Sequence, residues 1–300
     1  VIRYKIPPEE LHNRIGKTWY DKADGRTMQY RRAGRYFEPP KPIWNEIKWI
    51  YAGLQHDKCG YCERKLASVS RGTSRRVGKS DRHSRSLGLI EFDIDHYRPK
   101  NPVDAWPPEN QQLYSFATGG DFQTGYYWLA YDPKNYVAAC KPCNTMLKGS
   151  YFPIAGSRAH DGSNLADEKP LIIFPLGEDN PEDLIHFDGV VPIPASIRED
   201  DYNYQRARVT IDLFDLVERE DLIQPRLEVI FGLFVALART VGLDGEQWVS
   251  LLTAEHHSHT SCARSFVNLF RRDPTQAEAI ADQARKLLEE LPNAYSPTTR

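Results

Sequence analysis

Cys59-Gly-Tyr-Cys62 and Cys140-Lys-Pro-Cys143 constrain this chain more than anything else in it. Two thiolates two residues apart reach one tetrahedral ion at ~2.3 Å across a tight turn, and two such turns close a four-sulfur site. A closed site has no open position, so its part is structural. Here it would clamp both ends of residues 63–139, a stretch of 77 positions, much longer than in a compact zinc ribbon. The other readings are two unrelated buried pairs, or disulfides. One further cysteine, Cys262, occurs, and the opening VIRYKIPPEE has no apolar run of a signal peptide. That context favours Zn2+ over disulfides and a cytoplasmic location.

The longest apolar run, Val229 to Ala238, is too short to cross a bilayer, which takes ~20 residues. The net charge of −2 gives no global attraction to nucleic acid. Locally the picture differs. Arg64, Lys65, Arg71, Arg75, Arg76, Lys79, Arg82 and Arg85 face a single acid, Asp81. Such an arm either tracks a phosphate backbone or is a solvated spacer.

Residues 1–58 form an N-terminal segment, with extended segments and turns expected over 1–41. Pro42 then opens a helix whose Trp44, Ile47, Tyr51 and Leu54 recur at helical spacing, ending near His56. Residues 59–155 hold the cysteine pairs. Residues 156–202 read as a connector with short strands at Leu171–Phe174 and Val190–Ile193. Residues 203–300 turn helical and are expected to dock a partner. Among them Glu255, His256, His257, His259 and Cys262 crowd together. They read as a helix junction with Cys262 buried and the histidines partly wet, with a second metal site as the other possibility.

Between the cysteine pairs, Ile90, Phe92 and Ile94 alternate with acids. This predicts a strand that delivers Asp95 and His96 side by side and stops at Pro99. Trp128-Leu-Ala-Tyr-Asp-Pro-Lys-Asn135 follows, and the second pair runs directly into Asn144 and Lys148. In this order, bracketed by two cysteine knuckles, His96, Asn135 and Asn144 resemble the HNH endonuclease family and its ββα-metal motif. The resemblance implies an α+β fold, with a zinc-clamped ββα core and a mainly helical C-terminal domain.

It also implies a chemistry. His96, whose ordinary pKa lies near ~6.5, would be the general base. Asn135 would hold and polarise the imidazole. Asp95 and Asn144 offer oxygen ligands suited to Mg2+ or Mn2+, and cleavage would leave 5′-phosphate and 3′-hydroxyl ends. A helix starting near Asn144 would aim its N-terminus and Lys148 at a phosphate. Arg98 and Lys100 flank the base as further phosphate contacts, with Arg75 and Arg76 on the arm. Tyr61 and Tyr97 are expected to pack. Glu63 reads equally as a partner of the site or as a surface acid.

CGYCE, DIDHYRPK, YYWLAYDPKN and ACKPCNTMLKGSYFP, with downstream segments to about residue 240, are similar to HNH nuclease subunits of anti-phage defence, such as those of Septu and related retron systems. That likeness implies DNA as substrate and a separate ABC/SMC-type ATPase as partner, because no GxxxxGK[ST] occurs in this chain. The long basic arm and the first forty residues depart from the subfamily. Two other functions remain open: a zinc-stabilised module that binds nucleic acid or an ATPase without cutting, and an RNA-cutting toxin of the same fold.

Overall fold

Pro8 opens the first helix. In the computed structural model, which describes residues 1–66, 91–109, 114–238 and 243–290, α1 spans Pro8–Ile15 and α2 spans Lys17–Ala33. This corrects the expectation of extended segments over residues 1–41. α2 buries only a sparse stripe, Trp19, Ala23 and Tyr30, along one face. Aromatic anchors hold it. Trp19 Nε1 donates to the Ile43 carbonyl at 3.0 Å, and Tyr30 stacks on Tyr131 with centroids 5.9 Å apart. The end signals were present: prolines at 7 and 8 with acids in the first turn of α1, and Gly34 at φ 64° closing α2.

α3, Trp44–Leu54, follows its periodicity and buries Trp44, Ile47 and Tyr51. It packs on an antiparallel ribbon of β1, Phe92–His96, and β2, Tyr136–Cys140, with Phe92 opposite Cys140 and His96 opposite Tyr136. β2 is buried along its whole length. Just past α3, Gln55 lies fully buried. Its amide donates to the Ala138 carbonyl at 2.9 Å and accepts from the Ala138 amide at 2.8 Å.

The chain then winds into a π-helix, Pro142–Lys148, with the Gly149 amide donating to the Asn144 carbonyl at 2.9 Å. The helix expected to start near Asn144 is thus present as a π-helix that starts two residues earlier. Asn144 sits inside the turn, so no helix N-terminus is directed from it at a phosphate. The predicted strand at Leu171–Phe174 is absent. Leu171, Ile172 and Ile173 are fully buried but have no strand partner. A hairpin of β3, Ile185–Asp188, and β4, Val191–Pro194, follows.

The remaining described α-helices are α4, Tyr202–Leu213; α5, Glu220–Ala238; α6, Leu243–Thr253; α7, Thr260–Arg272; and α8, Pro274–Glu290. The architecture is α+β. One hydrophobic cluster runs from the N-terminal helices through the ribbon to α4. A second is built by α5, α7 and α8. Among the described residues, no helix is long and apolar enough to cross a membrane.

Candidate metal centre and adjoining cleft

The two cysteine knuckles meet because β2 ends in Cys140 and the 59–62 turn lies against its flank. Gly60 donates to the Ala138 carbonyl at 3.0 Å. A Cβ on Gly60 would come within 2.5 Å of a Val137 methyl carbon, so this close approach calls for glycine. All four cysteines are buried and none is in a disulfide. Their sulfurs lie within 4.8 Å of one another. Cys62 and Cys140 Sγ are 3.7 Å apart. A tetrahedron with ~2.3 Å metal–sulfur bonds has edges of ~3.8 Å, whereas a disulfide measures ~2 Å. The four thiols could therefore hold a metal ion such as zinc. Two donors temper the charge of the sulfur cluster: the Cys140 amide points to Cys59 Sγ at 3.4 Å, and Arg219 Nη1 to Cys143 Sγ at 3.2 Å.

Glu63, directly after the first knuckle, is buried rather than on the surface. It accepts from the Ser261 amide at 3.2 Å and from the Ser261 hydroxyl. A carboxylate at the first turn of α7 suits the helix dipole. Lys58 donates to Thr260 Oγ1 at 3.0 Å beside it. The knuckle is thereby bolted to α7. The His256–Cys262 segment is a helix junction, as expected, with Cys262 buried; His259 is buried too. Among the described residues, the four cysteines are the one cluster with metal-binding geometry.

β1 delivers Asp95 and His96 as predicted, and both are buried. The His96 ring meets Trp44 edge-on at 4.8 Å and Tyr136 at 5.0 Å between centroids. Its Nε2 lies 3.0 Å from the Ala130 carbonyl. A carbonyl only accepts, so Nε2 carries the hydrogen and the lone pair of the neutral ring is on Nδ1. Burial, and then the ammonium groups of Lys100 and Lys148, hold His96 well below the usual imidazole range despite the Ala130 bond.

Asn135 does not hold the imidazole, which corrects the role expected of it. Its carboxamide accepts from the Arg98 amide at 2.8 Å and donates to the Arg98 carbonyl at 2.9 Å. A longer contact reaches the Leu129 carbonyl at 3.4 Å. Asn135 thus braces the loop whose next residue, Ala130, fixes the ring. A backbone carbonyl leaves no trace in residue type, so no sequence signal could have found it.

Asp95 is held from two sides. Tyr61 donates its hydroxyl to Oδ2 at 2.6 Å, and Lys148 Nζ lies 3.0 Å from Oδ1 and 2.9 Å from the His96 carbonyl. Lys148 is fully buried, so the expectation that it meets a phosphate is corrected. Arg98 is likewise turned inward. Its Nε pairs with the fully buried Glu168 at 2.7 Å, and Nη2 reaches the Leu165 carbonyl at 3.2 Å. Tyr97 packs, with its hydroxyl on the Ile172 carbonyl at 2.6 Å.

Asp95, His96 and Asn144 line one cleft of about 390 Å3, together with Lys100, Trp44 and Asn45. One wall therefore comes from the start of α3 and the loop before it, which the sequence had placed in the core alone. The Lys100 ammonium lies over the rings of Tyr36 and Trp44 at 5.0 and 5.1 Å. Burial lowers its pKa from the usual lysine value. Among the described residues it has no ion pair or hydrogen-bonded anion. Arg75 and Arg76 lie outside the described residues.

One carboxylate and one carboxamide on a shared cleft are donor types that hard divalent ions accept, with water in the remaining positions. Each Asp95 oxygen accepts one bond and keeps a second lone pair, so the residues fit Mg2+ or Mn2+ by donor chemistry. Comparison with protein-family models, with curated proteins and with solved structures finds no match to this chain.

Proposed function

We propose that this chain is a metal-dependent endonuclease of the HNH type that hydrolyses DNA phosphodiester bonds. The observation that carries this reading is the geometry of His96: buried, with Nε2 committed to Ala130 and its acceptor nitrogen left over, beside Asp95 and Asn144 on one cleft. A neutral imidazole of fixed tautomer is equipped to take a proton from water. Asp95 and Asn144 would hold a divalent ion, whose chemistry is to neutralise charge on the scissile phosphate and the departing 3′ oxygen. Lys100, desolvated over two aromatic rings and drawn by the Glu38 and Asp95 carboxylates of the same cleft without an ion pair to either, would meet a phosphate oxygen. The four-cysteine centre would carry Zn2+ and keep the two halves of the site together.

The motif resemblance supports the wider part of the reading, an effector of anti-phage defence that works beside a separate ABC/SMC-type ATPase. A second reading is a zinc-stabilised module that grips nucleic acid without cutting. The two bonds already made by the Asp95 oxygens favour it. A plasmid-nicking assay with Mg2+ or Mn2+, run beside a tRNA cleavage assay, separates these. Wild-type protein should nick DNA, and His96→Ala should lose nicking while staying folded by circular dichroism, with the lower thermal midpoint that a truncated buried ring entails. Binding without nicking, with or without the ATPase, would favour the module. Cleavage of RNA alone would make the substrate RNA.

A further inference from the structure

Both groups that hold Asp95 are tied to the cysteine knuckles. Tyr61 stands between Cys59 and Cys62, so its backbone is set by the turn that presents those sulfurs. Its ring is fully buried and stacked on Phe214 at 4.0 Å and 17°, which leaves the hydroxyl one direction, onto Asp95 Oδ2 at 2.6 Å. Lys148 ends the π-helix that contains Cys143 and holds Asp95 Oδ1. One carboxylate oxygen is thus governed from each knuckle.

We infer that Tyr61 is a positioning residue through which the four-cysteine centre sets the Asp95 carboxylate for a hard divalent cation in the cleft. This rests on the nuclease reading of that cleft. A carboxylate fixed in direction before the ion arrives loses less freedom on binding, and groups that orient a ligand from behind typically contribute ~10–100-fold in metal affinity. The centre is therefore coupled to the cleft by a hydrogen bond as well as by the fold. A protein whose knuckle has lost its ion would lose divalent affinity in the cleft before it loses its helices.

The test uses the full chain loaded with zinc, with Mn2+ as the probe, bound Mn2+ read by electron paramagnetic resonance. Tyr61→Phe keeps the stack on Phe214 and removes only the hydroxyl. It should weaken Mn2+ binding ~10-fold, within the range for orienting groups, with zinc content unchanged. Replacing Tyr61 by 3-fluorotyrosine keeps the shape and covers the case in which Tyr61→Phe does not fold; it should shift Mn2+ affinity in a graded way. Wild-type Mn2+ affinity in both replacements would overturn the coupling. Asp95→Asn is the control. If it too binds Mn2+ like wild type, the cleft reading itself has failed. If it loses Mn2+ while both Tyr61 replacements keep it, only the coupling has failed.

Discussion

The guanidinium of Arg219 reaches the sulfur of Cys143 at 3.2 Å while holding Asp221 through two further bonds at 2.8 and 3.0 Å. A four-thiolate centre with a divalent ion has two surplus negative charges, and Arg219 is mostly buried against it. Arg219→Met should lower zinc affinity by roughly 10-fold or more, as loss of such supporting partners does. Competition with a chromogenic chelator reads this. An unchanged zinc affinity would mean the contact is packing only.

Arg98 is predicted to serve stability rather than nucleic-acid binding. It pairs with Glu168, which is fully buried and also accepts from Tyr126 and from the Ala159 amide at 2.9 Å. Removing one partner of a buried pair leaves an uncompensated charge and costs about 3–5 kcal/mol. Urea unfolding of Arg98→Met should show a loss of that order. A loss below about 1 kcal/mol, the size of an exposed pair, would return Arg98 to the list of phosphate contacts.

Lys100 should behave in the opposite way. Its ammonium is desolvated over two rings, and that burial outweighs the attraction of the Glu38 and Asp95 carboxylates, neither of which forms an ion pair with it, so Lys100→Met should leave the thermal midpoint unchanged or higher. It should weaken DNA binding and reduce the slope of log affinity against log salt by about one, as loss of one phosphate contact does. Fluorescence anisotropy across a salt series measures both.

His259 should make the fold acid-sensitive. Burial and then Arg226 lower its pKa to about 3, while the unfolded chain titrates near ~6.5. Between those values the unfolded state binds the proton and the folded state does not. Stability is full above pH ~6.5 and falls as pH drops toward the folded value, by about 3 kcal/mol near pH ~4.5. His259 has φ 54°, a conformation asparagine tolerates. His259→Asn should therefore fold and lose less stability than wild type over that range. Parallel pH curves for the two proteins would refute the assignment.

The sequence showed the parts of the site that depend on residue type. Paired cysteines, an Asp-His dipeptide on an alternating strand and the α3 periodicity of Trp44, Ile47 and Tyr51 all led to elements found in place. What it hid depends on direction. Lys148 and Arg98 read as exposed cations because their partners, Asp95 and Glu168, lie 53 and 70 positions away. The tautomer of His96 rests on a carbonyl, and α2 is anchored by only three buried residues, too sparse a stripe to read as a helix period. Tyr61 packs as expected, but its hydroxyl bond to Asp95, 34 positions away, had no sequence signal.

Gln55 has a last consequence. A ribbon of two strands has open flanks, and unpaired backbone there is a template for another chain. At Ala138 the flank of β2 is met by a side-chain amide that satisfies donor and acceptor together, as a neighbouring strand would. Growth of the ribbon into a larger assembly is blocked at that point by the glutamine side chain together with the Gly60 amide of the first knuckle.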